Sequence, residues 1–174
     1  ATIALPYKII RTQGDFWCET RMKVSTVADT RFGFVFGLWE QQTLSAIIPI
    51  VAAGTLADAN FVGFHRLEGD GDQLDCVYKS NGNTQVTQEA DSFTLAADTY
   101  FKIGMRYNAR DFSFSWYGNN QLLTSVTVIA AAGTDFPNDV QMGLCMGMLC
   151  ASADDAIMTN DWVRSAQIYS YPNS

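Results

Sequence analysis

Histidine is almost absent from this sequence, and charged residues are scarce. The 174 residues include one histidine, and Asp, Glu, Lys and Arg together make up 17%. With a single histidine and no two cysteines three positions apart, the sequence lacks the ligand spacing of a structural zinc site. It also lacks a serine or cysteine nucleophile motif that this histidine could serve. We therefore interpret His65 as a strand residue with one hydrogen-bonded ring nitrogen.

Long apolar runs are also missing. The longest, Ala46 to Ala53 and Val126 to Ala132, fall far short of the ~20 residues that cross a bilayer, so we expect no membrane span. No basic region precedes a long apolar stretch at the N-terminus, and we expect no secretory signal in the sequence as it stands. A signal removed earlier would leave no trace in it.

Basic residues are few and dispersed. Eleven Lys and Arg stand against eighteen Asp and Glu, which gives a formal charge of −7. A protein that binds nucleic acid needs clustered cations to neutralise phosphates, whereas the arginines here are scattered among carboxylates. We therefore expect no nucleic-acid partner.

Four cysteines, Cys18, Cys76, Cys145 and Cys150, allow two disulfides or none, and the sequence does not choose the pairing. Cys18 and Cys76 lie among alternating apolar residues, where a small buried thiol belongs. We expect reduced structural cysteines, in keeping with an intracellular site of assembly.

Alternation with a period of two is the strongest positive signal. Between Phe16 and Val24, buried-type residues alternate with Glu19, Arg21 and Lys23, as in a strand with one face on a core. The same pattern recurs in residues 32–39, 74–79, 101–107, 112–117 and 140–148. Many short strands separated by turn residues predict a sandwich or a barrel.

The segments between these strands contain turn residues. Asn81-Gly82 is the strongest hairpin signal, because both residues tolerate the positive φ of a tight primed turn. The one helical candidate, Thr43 to Ala57, is interrupted by Pro49 and Gly54 and favours a long connection or a short helical turn. We find no linker or repeat, and predict a single sandwich domain over residues 12–174.

Residues 1–11 precede the first strong strand and are rich in apolar side chains. They predict either the first edge strand or an extended arm that buries its apolar residues on a neighbouring subunit, and the two are compatible. The candidate partner-binding residues are Ile3, Leu5, Pro6, Tyr7 and Ile9.

Three features together resemble the concanavalin A-like, laminin G-like jelly roll. They are the strand pair 16–24 and 31–40, the segment Asn60–Arg66 followed by a hairpin, and the closing strand Asn160–Gln167. The resemblance covers residues 15 to 170 and implies an all-β, two-sheet antiparallel jelly-roll sandwich with a short N-terminal arm. That superfamily contains lectins, glycosidases, adhesive modules and capsid decoration (cement) proteins of tailed bacteriophages.

Acidic residues that follow the segment Asn60–Arg66 are candidates for site chemistry. The run from Glu68 to Asp72 has carboxylates at alternate positions, as glycosidases of this fold do, but its intervening glycines indicate a bend. A Ca²⁺ site formed by Asp70, Asp72 and Asp75 is chemically more favourable, since hard cations prefer several loop oxygens. A solvated turn is the simpler interpretation, and it also applies to Asp154-Asp155.

Aromatic residues allow two interpretations. Trp17, Trp39, Trp116, Trp162 and Tyr117 could form a sugar-stacking platform, or they could be buried against protein. Trp17 and Trp39 lie opposite the main apolar series, where a second sheet, a partner subunit or a ligand could cover them. We favour burial against protein.

These observations, with the resemblance, predict a protein that is not an enzyme. By analogy we expect a phage head decoration protein that binds the major capsid protein on the outside of the virion, as a trimer and without a cofactor. The alternative is a carbohydrate-binding module that holds a glycan through loop oxygens, an aromatic ring and Ca²⁺. A glycoside hydrolase is the least favoured interpretation.

Overall fold

A computed structural model describes residues 2–8, 14–28, 32–40, 49–50, 56–67, 69–128, 135–138, 140–150 and 156–168. Within these ranges the chain forms strands and no helix, so none of the described segments is a helix that could cross a membrane. The eleven strands are β1 (Thr2–Lys8), β2 (Phe16–Val24), β3 (Phe32–Trp39), β4 (Phe61–Arg66), β5 (Gln73–Lys79), β6 (Val86–Thr94), β7 (Phe101–Asn108), β8 (Ser113–Gly118), β9 (Gln121–Thr127), β10 (Gln141–Cys150) and β11 (Met158–Gln167).

The strands form two antiparallel sheets packed face to face. One has six strands in the order β1-β10-β3-β4-β5-β6, and the other has five in the order β11-β2-β7-β8-β9. Neighbours in each sheet run antiparallel. The predicted all-β, two-sheet antiparallel jelly-roll sandwich is confirmed.

The alternation read from the sequence corresponds to the core between the sheets. In β2, the side chains of Phe16, Cys18, Met22 and Val24 are buried, while the residues between them face outward. They pack with aromatic and aliphatic side chains of both sheets in one continuous cluster. Trp116 links the sheets, because its indole Nε1–H donates to the carbonyl oxygen of Gly63 at 2.9 Å.

The outer face of the six-stranded sheet carries a second apolar cluster. Trp39, Phe61 and Val77 lie on that face, and Ile50 and Leu56 cover them from the segment between β3 and β4. Ile50 and Leu56 form an isolated antiparallel bridge, and the rest of the former helical candidate, residues 43–48 and 51–55, lies outside the described residues. Every residue of β3 is therefore buried. Trp39 is covered by its own chain.

Two strands and one turn differ from the sequence prediction. β6 and β9 were not predicted, because they are mostly exposed and show no apolar alternation. The tight primed turn at Asn81-Gly82 was wrong: β5 and β6 are joined by residues 80–85, and only Gly82 of that pair has a positive φ, 80°. A two-residue turn with both φ values positive joins β8 to β9 instead, at Asn119 (47°) and Asn120 (68°).

Candidate functional site

The N-terminal strand lies at an edge of the six-stranded sheet. Among the described strands, β1 pairs only with β10, in a register that shifts between Ile3 and Tyr7. Leu5 and Pro6 fall within this shift, which suits proline because it has no N–H to donate to a regular ladder. Four of the five predicted partner-binding residues therefore belong to an edge strand, and the fifth, Ile9, lies outside the described residues.

A pocket of about 280 Å³ opens on the outer face of the five-stranded sheet, and we call it the outer pocket. Its floor is Gly104 of β7, whose cross-strand neighbours are Glu19 of β2 and Tyr117 of β8. A Cβ atom on Gly104 would lie 2.9 Å from the Cβ of Glu19 and 3.0 Å from the carbonyl oxygen of Cys18. Glycine is therefore what keeps the floor open. The side chains around it are Trp17, Glu19, Lys102, Arg106, Tyr117 and Asn120.

Trp17 forms one wall of the outer pocket and is 36% exposed. The guanidinium of Arg164 on β11 lies 5.8 Å from its ring centroid and donates to Glu19 Oε1. The same guanidinium stands 4.6 Å from the ring centroid of Trp162. These contacts hold an exposed indole beside a set of hydrogen-bonding groups, a combination that can stack on and orient a polar ring.

Catalysis of glycoside hydrolysis is poorly matched by the outer pocket. That reaction uses two carboxyl groups on either side of the scissile bond. Among the lining side chains Glu19 is the one carboxylate, and it is paired with Arg164. The outer pocket offers groups that can hydrogen-bond to a polar ligand, but it does not present the two carboxyl groups that the reaction requires.

A second cluster lies on the outer face of the six-stranded sheet, and we call it the His–Asp cluster. It consists of His65 in β4, Asp75 directly opposite it in β5, and Asp70 in the connecting turn. One ligand atom from each of the three lies within 4.8 Å of the other two. Asp70 Oδ2 stands 3.9 Å from His65 Nδ1 and accepts the N–H of Leu67 at 2.7 Å.

The cluster is anchored by hydrogen bonds from β6 and from the connection that precedes it. Asp75 Oδ1 accepts the backbone N–H of Asp91 in β6 at 2.8 Å, and His65 Nε2 lies 2.8 Å from Nε2 of Gln85. Burial lowers the pKa of His65, against an opposing effect of Asp75 and Asp70. Burial raises the pKa of Asp75, and the Asp91 N–H counteracts part of that rise.

Of the three aspartates predicted to bind Ca²⁺, the structure brings two together. Asp70 and Asp75 both belong to the His–Asp cluster. Asp72 lies outside it and accepts a hydrogen bond from the Gln73 side chain at 2.9 Å. His65 takes the third place, so the donor set differs from the all-oxygen set that we predicted. Asp154-Asp155 lie outside the described residues.

The four cysteines are free thiols. Cys18, Cys76 and Cys145 are buried, and burial raises the pKa of Cys76 and of Cys145 to about 12. A thiol that stays protonated near neutral pH is a poor nucleophile and a poor metal ligand. The thiols of Cys76 and Cys145 therefore belong to the packing of the sandwich.

Sequence reasoning identified the aromatic part of the outer pocket but missed its polar part. Glu19, Lys102 and Arg106 read as the solvent side of ordinary strands, and Asn120 as a turn residue. The available signal was Gly104, since a glycine within a strand often marks a close approach or an open site. Nothing in the order of the residues shows that β2 lies beside β7.

No protein-family model matches this chain, and no curated protein matches it. Solved structures do match this chain. The Bacillus licheniformis β-glucanase shares 18% identity over 93% of this chain and 68% of its own, with a TM-score of 0.57. A prokaryotic β-1,3-1,4-glucanase from a mouse hindgut metagenome shares 11%, over 96% and 70%, at 0.60. The metal-free Emp46p carbohydrate recognition domain shares 9%, over 94% and 74%, at 0.63.

These similarities extend over nearly the whole chain at very low identity. They show a fold, and a shared fold does not carry a shared activity. The chain has the concanavalin A-like jelly-roll sandwich that is found in carbohydrate-binding domains and in glycoside hydrolases.

Proposed function

We propose that the protein is a non-enzymatic component of a virion, a decoration (cement) protein that binds the major capsid protein on the outside of a tailed-phage head. The observation that carries this proposal is the apolar N-terminal strand at the edge of the six-stranded sheet. The assignment to a phage particle rests on the resemblance of the chain to decoration proteins of this fold.

An edge strand can pair with a second chain. β1 has β10 on one side, and the strand order places no described strand on its other side. The free row of backbone groups on an edge can accept a strand from a partner, and apolar side chains then add specificity and buried area. We propose that a segment of the capsid protein, or of another copy in a homotrimer, pairs with this edge.

The rest of the sandwich suits a rigid body between such contacts. β3 is buried on both faces, by the main core and by the cluster around Trp39. A scaffold of this kind presents its edges and loops in fixed positions, so little conformational entropy is lost when it binds a shell.

The proposal is tested by deleting Ala1–Pro6 and measuring the number of copies on purified capsids. We expect at least a tenfold loss of affinity, about 1.4 kcal/mol, because the deletion removes most of the edge strand. Circular dichroism and thermal unfolding would show that the remaining sandwich is folded. The matched control is Leu122→Ser, which changes a 59% exposed apolar side chain on the edge strand β9 of the other sheet and should leave occupancy unchanged.

Two results would count against this assignment. If the folded truncated protein occupies capsids normally, attachment does not use β1. If the protein without the deletion is absent from purified particles, it is not a virion component.

Glycan binding is the second candidate function, and the outer pocket is the observation that favours it. Trp17 and Tyr117 offer ring faces beside Arg106, Lys102 and Asn120, which can hydrogen-bond to hydroxyl groups. Emp46p shares the fold and is described as a carbohydrate recognition domain. The same surface could therefore attach a particle to a host glycan.

Replacing Trp17 by alanine should weaken glycan binding about tenfold, because one stacking surface is lost. Binding would be measured by a glycan array, followed by calorimetry with the glycan that binds best. Tyr100→Ala is the control, since Tyr100 is similarly exposed at 39% but does not line the pocket. If the wild type and the Trp17→Ala variant bind the glycan with equal affinity, the outer pocket is not the glycan site. If the protein releases reducing ends from β-glucan, the proposal that it is non-enzymatic is wrong.

A further inference from the structure

The His–Asp cluster contains a buried group with an unmet bonding capacity. His65 is 2% exposed, and its Nδ1 has no hydrogen-bond partner. A buried polar atom of this kind is unfavourable unless it gains a partner. Among the described acidic side chains, the oxygen nearest to this nitrogen is Oδ2 of Asp70, which stands 3.9 Å away, too far for a hydrogen bond.

The two carboxylates are positioned around that nitrogen by the backbone. Asp75 is the direct cross-strand neighbour of His65, and Asp70 is turned back over the pair by its hydrogen bond to the N–H of Leu67. The turn requires glycines with positive φ, Gly69 at 101° and Gly71 at 61°. Two carboxylates next to an unpartnered imidazole nitrogen form an anionic site that is lined by both nitrogen and oxygen.

From this geometry we infer that His65 Nδ1, Asp70 and Asp75 form a binding site for a divalent first-row metal ion of the Zn²⁺ class. Imidazole with carboxylates is a donor set for such ions, whereas Ca²⁺ and Mg²⁺ are held by oxygen. Three protein ligands also leave a fourth tetrahedral position open, on the side where the Asp70 side chain is 32% exposed. A water molecule or a partner side chain would complete the shell.

The distances need only a small adjustment. Ligands that stand ~2.1 Å from one Zn²⁺ lie about 3.4 Å from one another in a tetrahedron. The Nδ1–Oδ2 distance is 3.9 Å, and the widest separation in the cluster is below 4.8 Å. Asp70 and Asp75 are only partly buried, so rotation of their side chains can close the remaining gap.

Gln85 acts as the positioning residue for the imidazole. Its side-chain amide lies 2.8 Å from His65 Nε2, and rotating the amide by 180° presents Oε1 to an Nε2–H. In that arrangement the proton resides on Nε2 and the lone pair of Nδ1 points to the ion. In metal-binding histidines, the ring nitrogen that does not bind the metal usually donates such a hydrogen bond.

The site is tested by titrating the tag-free protein with Zn²⁺, Mn²⁺ and Ca²⁺ in a calorimeter. We expect one Zn²⁺ per chain, and at least a tenfold weaker affinity in Asp70→Asn and in Asp75→Asn, which preserve the shape of each side chain. Asp72→Asn is the matched control: it lies in the same turn but outside the cluster, so its Zn²⁺ affinity should equal that of the wild type.

A second measurement reports directly on the nitrogen. Because the chain has one histidine, the ¹⁵N spectrum of its imidazole contains a single pair of ring signals. One equivalent of Zn²⁺ should move the Nδ1 signal and leave Nε2 protonated. The inference would be overturned if the Asp70→Asn, Asp75→Asn double variant kept the Zn²⁺ affinity of the wild type, or if Zn²⁺ left the Nδ1 signal unmoved. It would also be overturned if the protein bound Ca²⁺ more tightly than Zn²⁺ and lost that Ca²⁺ binding in Asp72→Asn.

Discussion

Replacing Arg66 by methionine should lower the free energy of unfolding by about 4 kcal/mol, because four buried or partly buried carbonyl groups lose their donor. Arg66 is completely buried at the end of β4. Its guanidinium donates to the carbonyl oxygens of Phe32, Gly71, Val27 and Ala28, and it lies 4.2 Å from the centroid of the Phe32 ring. One side chain thus joins three separate backbone segments.

Methionine keeps an unbranched apolar stem at this position but has no donor, so the substitution removes the guanidinium together with its hydrogen bonds and its contact with the Phe32 ring. For a chain of this size the loss corresponds to a melting temperature about 10 °C lower, measurable by calorimetry or circular dichroism. Arg110→Met is the control, because Arg110 is exposed and its replacement should change stability by less than about 0.5 kcal/mol. Equal melting temperatures for the two variants would show that the buried guanidinium is not a main contributor to stability.

Replacing Gly63 by alanine should also be strongly destabilising, by about 3 kcal/mol. Gly63 in β4 stands directly opposite Gly37 in β3. A Cβ atom on Gly63 would lie 2.3 Å from the carbonyl oxygen of Phe36 and 2.6 Å from the Cα of Gly37, so backbone atoms would have to move. The carbonyl of Gly63 also accepts the indole N–H of Trp116, and a shift would strain the contact between the sheets.

Gly82→Ala is an informative comparison for this variant. Gly82 has a φ of 80°, and no atom lies within 4 Å of the position that an added methyl group would take, so the substitution tests backbone strain without a clash. We expect it to cost about 1 kcal/mol. Denaturant unfolding of the two variants would separate the two effects, and a smaller loss of stability at Gly63 than at Gly82 would contradict the steric explanation.

The alternation of apolar and polar residues was sufficient to predict a strand wherever one face of that strand is buried. The boundaries of β2 match the alternating segment residue for residue, and β7 and β10 differ from theirs by one or two residues. β6 and β9 were missed because they are mostly exposed and show no apolar alternation, so the period-of-two signal is absent from them. The tight turn predicted at Asn81-Gly82 does not form, and the reason lies in the tertiary structure. The side chains of Asp58 and Asn60 accept the backbone N–H groups of Gly82 and Asn81, and so shape the longer connection.

The candidate sites show the same division. Asp70 and Asp75 were predicted together with Asp72 because the chain places all three within one hairpin. The contribution of His65 depends instead on the β4–β5 register that sets it opposite Asp75. The outer pocket needs β2 beside β7, although these strands are separated by β3 to β6 along the chain.

By itself the pattern of the sequence determined the all-β class and most residues of the main core, because a period of two is a local property that one buried face imposes on each strand. The choice of a two-sheet jelly roll over a barrel came from the resemblance to a known fold. The tertiary structure alone decided which strands are neighbours, which outer face the chain covers with its own residues, and which polar side chains meet there. Those outcomes depend on cross-strand register and on contacts between distant segments, and the composition of a single strand carries no record of either.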